Sequence, residues 1–193
     1  MANSDAPRGL NPVRNLSGAP YNGAVRKYYV PSSDSTAIYV GGLVKLVGSA
    51  DSRGIPTVTG NVASTNIIVG VCVGMADPTR DSLLYRAAST DSYILVADDP
   101  GLLFEVQEDS AGGALAASNV GNACALVGYT AGSTITGKSS IELDSSSAVA
   151  SGGGALDVVI VALVDREENE IGVNAKWLVR LNLHSYVNAN VGV

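Results

Sequence analysis

Apolar and polar positions alternate most cleanly in two stretches. Over residues 102–108, Leu102, Phe104 and Val106 share one face, and Glu105 and Gln107 take the other. Near the end of the chain, Trp177, Val179, Leu181 and Leu183 point one way, and Arg180, Asn182 and His184 the other. A period of two predicts half-buried antiparallel strands. Between them, residues 158–164 form the longest uninterrupted apolar run, whose length suits a central strand. The predicted core is Phe104, Val106, Val158, Ile160, Ala162, Trp177, Val179, Leu181 and Leu183. Shorter β-branched or alternating segments predict further strands at 27–30, 37–40, 43–47, 56–59, 67–75, 83–86, 92–97, 123–127 and 140–143. Residues 49–54 read as a polar loop, 145–154 (SSSAVASGGG) as a flexible surface loop, and 114–120 as the only helix, about two turns long. Many short strands between turn signals indicate a mainly β fold: a single β-sandwich or barrel-like domain with at most one short helix.

The first 26 residues break this pattern. Pro7, Gly9, Pro12, Gly18, Pro20 and Gly23 punctuate the segment, and Leu10, Val13, Leu16 and Tyr21 follow no sustained period. The expected organisation is an extended N-terminal arm, residues 1–26, ahead of a β-rich body, residues 27–193. Such an arm cannot offset its own chain entropy, so it is expected to be disordered when free and to fold onto a partner. Charge divides in the same way. Residues 1–27 hold Arg8, Arg14, Arg26 and Lys27 against Asp5, a balance of +3. The rest holds eight Lys or Arg against 17 Asp or Glu, a balance of −9.

Composition narrows the function. The formal net charge of −6 argues against nucleic-acid binding. One His and two Cys exclude a His-rich metal centre and a four-cysteine zinc site. The seven-residue apolar run is far short of the roughly 20 that span a membrane. The N-terminus has no apolar stretch, so no secretion signal is expected. His184 is expected on an exposed strand face. Cys72 and Cys124 are expected in the core, with a disulfide between them left open. Residues 165–170 (DREENE) could offer oxygens to a hard cation, but they lack a calcium-loop spacing and read better as a charged hairpin turn. Gly152, Gly153 and Gly154 lead into a strand and fail the phosphate-loop test. No GxSxG is present. No catalytic residue, cofactor or metal site is expected.

Several stretches resemble the head decoration (cement) proteins of tailed bacteriophages. The arm fits a pattern PxGLxPVRxLxGxPYNG at residues 7–23, followed by YYVP at 28–31 and GxLVK at 41–45. LLFEVQED (102–109), SIELDSS (140–146) and EIGVNAKWLVRLNLHSY (170–186) are similar to the same group. The resemblance implies a non-enzymatic protein bound to major capsid protein on the outer surface of the head, as a homotrimer or a dimer. There it would reinforce the shell against the pressure of packed DNA. The capsid-contact candidates are the arm residues Arg8, Leu10, Pro12, Val13, Arg14, Leu16 and Tyr21. Two other classes stay open: a virion receptor- or glycan-binding protein, and a trimeric β-fold enzyme with sites between subunits. Against the glycan reading, the one Trp falls on the core face.

Overall fold

The computed structural model describes residues 3–148 and 156–187. The fold is mainly β, with twelve strands among the described residues. β1 (Asn11–Asn15), β7 (Leu102–Gln107), β12 (Lys176–Leu181), β11 (Val158–Leu163) and β8 (Ala123–Cys124) form one sheet in the order β1-β7-β12-β11-β8. β2 (Arg26–Val30), β4 (Pro56–Thr59), β3 (Leu43–Ala50), β5 (Gly70–Met75) and β6 (Ser92–Ala97) close a barrel in the order β2-β4-β3-β5-β6. β9 (Leu126–Val127) and β10 (Glu142–Leu143) make a small ribbon.

The strand period of two explains how barrel and sheet join. Val44, Val69, Cys72 and Val96 point into the barrel with Tyr28, Val30, Ile38, Val58 and Ile94. Their chain neighbours Leu43, Ile68, Val71 and Ala97 point outward, into a second core against the inner face of the sheet. That face carries Leu102, Phe104, Val106, Val158, Ile160, Trp177, Val179 and Leu181, all buried, as the alternation predicts. Two residues of the predicted core depart from it. Ala162 is half-buried because the β11–β12 register shifts between Ile160 and Ala162. Leu183 is half-buried because β12 ends at Leu181.

The end of β12 also corrects the reading of His184. The chain leaves the sheet there and pairs with the barrel instead: Ile68 N donates to Leu183 O, and Ser185 N to Ile68 O, both at 2.8 Å. His184 is thereby buried, at 2% exposure, and burial lowers its pKa. Its Nδ1 accepts from Tyr186 N at 3.1 Å. Gln107, expected on the solvent face, is buried as well, because the N-terminal segment lies over it. The predicted helix shrinks to one 3-10 turn, Ala117–Asn119, where the Asn119 side chain takes the Ala116 N–H at 2.8 Å. Residues 83–86 form no strand; a single bridge links Ile38 and Arg86. Residues 49–50 belong to β3, and Asp51 then caps the turn by accepting from Arg53 N and Ile55 N. Residues 149–155 of the expected flexible loop lie outside the described residues. Cys72 and Cys124 are both free and buried, one inside the barrel and one in the sheet-side core. Residues 165–170 do form the turn between β11 and β12, held by Asn169, whose side chain bonds Val164 O, Lys176 O and Lys176 N.

Glu108 is fully buried beneath this framework. Its carboxylate accepts from Trp177 Nε1 at 3.1 Å, Leu115 N at 3.0 Å and Ser110 Oγ at 3.2 Å. Burial outweighs these donors and raises its pKa. A carboxyl whose folded pKa is raised stabilises the fold when protonated, and that contribution is lost as pH rises through the folded value. Glu108→Gln removes the buried charge and keeps an acceptor. It is expected to raise the melting temperature at pH 8, with the difference narrowing towards pH 4. Melting curves at the two pH values check this; a variant less stable than wild type at pH 8 would show that the charge itself is needed.

Candidate functional site: the N-terminal hairpin

The arm is not a separate segment. Asn3 grips the loop before β12: its Nδ2 donates to Glu170 O at 2.8 Å and Val173 O at 2.9 Å, and its Oδ1 accepts from Glu170 N at 3.0 Å. Gln107 Nε2 donates to Asp5 Oδ1 at 2.9 Å and Glu142 Oε1 at 3.0 Å, and Gln107 Oε1 accepts from Ala6 N. The chain then crosses the barrel. Leu10 N donates to Gly41 O at 2.9 Å, and the Leu10 side chain sits in the core at 1% exposure. Two glycines make the crossing: a Cβ on Gly9 would lie 2.4 Å from Gly41 O, and one on Gly41 would lie 2.4 Å from Arg8 O. Both also have positive φ, +68° and +89°.

Beyond the crossing, β1 pairs antiparallel with β7, matching Asn11 with Glu105 and Asn15 with Leu102, with a bulge at Val13. Pro12 is tolerated because β1 is an edge strand. The chain then turns back on itself. Gly18 N donates to Asn15 O, Asn15 N to Ala19 O and Tyr21 N to Val13 O, so the returning limb covers the open edge of β1. Leu16 N donates to Gly101 O at 2.7 Å and ties the hairpin to the Asp98–Gly101 turn.

The seven candidate contact residues therefore separate. Leu10 is core and cannot meet a partner, and Tyr21 packs against the core with its hydroxyl on Ala24 O. Pro12 is half-buried opposite Phe104. Arg8 is exposed beside a small cleft of about 130 Å³ that also contains Glu105, Arg166 and Lys176, where Arg166 pairs with Glu105. Val13, Arg14 and Leu16 remain at the hairpin surface, Val13 at 38% and Leu16 at 55% exposure. The failed expectation is independence. Scattered apolar residues without a period looked unable to bury themselves, but a ready-made sheet edge and core gave them partners.

Sequence reasoning missed the cluster that fixes the far end of the hairpin. Asp98 is buried, accepts from Tyr28 Oη at 2.7 Å and pairs with Arg26 Nε at 3.4 Å. The Tyr28 and Tyr186 hydroxyls are 2.9 Å apart, and the Arg26 guanidinium lies over the Tyr186 ring. Asp98 raises the pKa of Arg26, and burial raises that of Tyr28. The DDPG run at 98–101 was legible as a turn, but its role as the hairpin's anchor had no signal in the sequence.

No family model, curated protein or solved structure matches the chain. The site is thus defined by its geometry: a rigidly rooted hairpin that presents two aliphatic side chains and a guanidinium to solvent. Such a surface can bury apolar area on a partner and steer towards acidic groups. Among the described residues, no group of His, Cys, Asp or Glu is arranged to hold a metal ion.

Proposed function

We propose that the protein is a phage capsid decoration protein that docks on major capsid protein at the outer surface of the head, as a homo-oligomer, and clamps neighbouring capsid subunits. The observation that carries this reading is the N-terminal hairpin: Val13, Arg14 and Leu16 exposed on a turn whose base is locked into the protein's own sheet. Exposed aliphatic side chains on a rigid support suit a docking element, because little ordering entropy remains to be lost on binding. The resemblance of residues 7–23 to decoration proteins points the same way.

The test is cosedimentation with emptied capsids. Wild type is expected to pellet with them, and Leu16→Asp together with Val13→Asp to bind at least tenfold more weakly while melting normally. Capsid binding unchanged by this pair would refute the hairpin as the contact. Charge contributes through encounter. Arg8→Glu with Arg14→Glu is expected to slow association more than it speeds dissociation. The on-rate is expected to fall between about 0.05 and 0.5 M salt, because the Debye length is ~10 Å at 0.1 M and shrinks further above it. Binding kinetics at both salt concentrations measure this; on-rates indifferent to salt and to both substitutions would leave the arginines no role in recognition.

A further inference from the structure

The hairpin lies at one end of β6, beside the Asp98–Gly101 turn; the other end of β6 opens into a groove of about 420 Å³. The two ends are roughly 17 Å apart at ~3.3 Å per strand residue. The groove runs between the barrel wall and the long loop that joins β5 to β6. Met75 and Tyr93 line it from the wall, and Leu83, Tyr85, Asp77 and Asp91 line it from the loop. Its aromatic rings are braced. Tyr85 stacks on Tyr39 with centroids 5.0 Å apart and planes 22° apart. Tyr93 leans on Tyr29 at 5.3 Å, and its hydroxyl donates to Asp51 at 2.6 Å. The loop is fixed from beneath by Arg86, 2% exposed, whose guanidinium donates to the carbonyls of Pro31, Thr36 and Thr90. The carboxylates are fixed too: Asp91 accepts from Tyr29 Oη at 2.6 Å and Ser32 N at 2.7 Å, and Asp77 pairs with Lys27 Nζ.

We infer that this groove is a saccharide-binding site for a neutral sugar unit, placed on the side of the barrel away from the hairpin. Its volume suits one or two sugar rings. A half-exposed tyrosine offers a flat apolar face to the C–H side of a pyranose, and anchored carboxylates accept from vicinal hydroxyls. The ionic groups that line the groove at its surface are the carboxylates Asp77 and Asp91. Lys27 and Arg53 lie over the Tyr93 ring at its margin, 5.3 and 4.9 Å from the centroid, but are paired with Asp77 and Asp51. The one arginine in the lining is buried and committed to carbonyls. That charge pattern disfavours sialylated, sulfated or uronic sugars. Its outward placement on a particle rests on the docking reading above; the binding itself does not.

The experiment is amide chemical-shift mapping of the free wild-type protein with maltotriose, cellotriose, mannotriose and N-acetyllactosamine, and with 3′-sialyllactose as the charged control. The expected result is saturable shifts with at least one neutral sugar, confined to residues 75–77 and 82–93, and none with the charged control. Tyr85→Ala is expected to weaken that binding at least tenfold, and Tyr85→Phe, which keeps the ring, to retain most of it. Shifts with none of the neutral sugars, shifts elsewhere on the protein, or a preference for sialyllactose would each overturn the site. Because the mapping uses wild-type protein, a poorly folded variant does not blunt it. Capsid cosedimentation of Tyr85→Ala separates the two readings. Normal capsid binding with lost sugar binding fits an outward-facing groove. Loss of capsid binding by a folded Tyr85→Ala would instead place the groove at the capsid and overturn its outward role.

Discussion

Trp177→Ala is expected to destabilise the fold by about 3–5 kcal/mol, the usual cost of truncating a buried tryptophan. Trp177 is fully buried in the core between sheet and barrel and opposes Val106 of β7 and Leu163 of β11. Truncation also takes from Glu108 its indole donor in a fully buried position. Trp177→Phe separates the two contributions: it retains most of the packing and loses the hydrogen bond, for an expected cost of about 1–3 kcal/mol. Urea unfolding of both variants measures this. A wild-type midpoint for Trp177→Ala would mean that the sheet and barrel do not share that core.

Deleting residues 1–26 is expected to abolish cooperative folding, not to yield an intact body that merely lacks its arm. The deletion removes β1, exposes the edge of β7 at Leu102 and Phe104, uncovers Gln107, and takes Leu10 and Arg26 from their buried partners. Leu10 alone is worth about 2–5 kcal/mol by its burial, a large share of a typical domain's stability. Replacing only residues 16–20 with a short glycine-serine turn is expected to leave melting nearly unchanged and to remove capsid binding. Thermal unfolding and cosedimentation of the two variants settle the matter together. A soluble, cooperatively melting product of the full deletion would show that the arm is dispensable for folding after all.

What the sequence disclosed follows from which interactions are local. Period-two alternation placed Phe104, Val106, Trp177 and Val179 in the core correctly, because a strand's two faces are set by adjacent residues. It failed at His184, where a strand leaves one sheet for another and the face is decided by Ile68, more than a hundred residues earlier. It failed at Gln107, whose cover comes from Asp5 and Ala6, about a hundred residues earlier. The arm follows the same rule: its partners are the β7 edge and Gly41, which the arm's own pattern of residues does not disclose. The groove has no local signature, because its tyrosines follow no period or spacing that marks them as exposed. Tyr85 and Tyr93 acquire their setting only when the β5–β6 loop folds over the barrel wall.

The hairpin's attachment has a mechanical consequence. β1 runs lengthwise along β7 towards the turn at Leu16, and behind it the chain is held by the Gly9–Gly41 crossing and the Asn3 clasp. Tension applied at the turn along the strand axis acts on the β1–β7 hydrogen bonds in shear, so they share the load and must fail together. A strand peeled from its end loses them one at a time, at far lower force. The hairpin is therefore a stiff tether along one direction and a weak one across it, and its strength as a clamp depends on the direction in which neighbouring subunits pull.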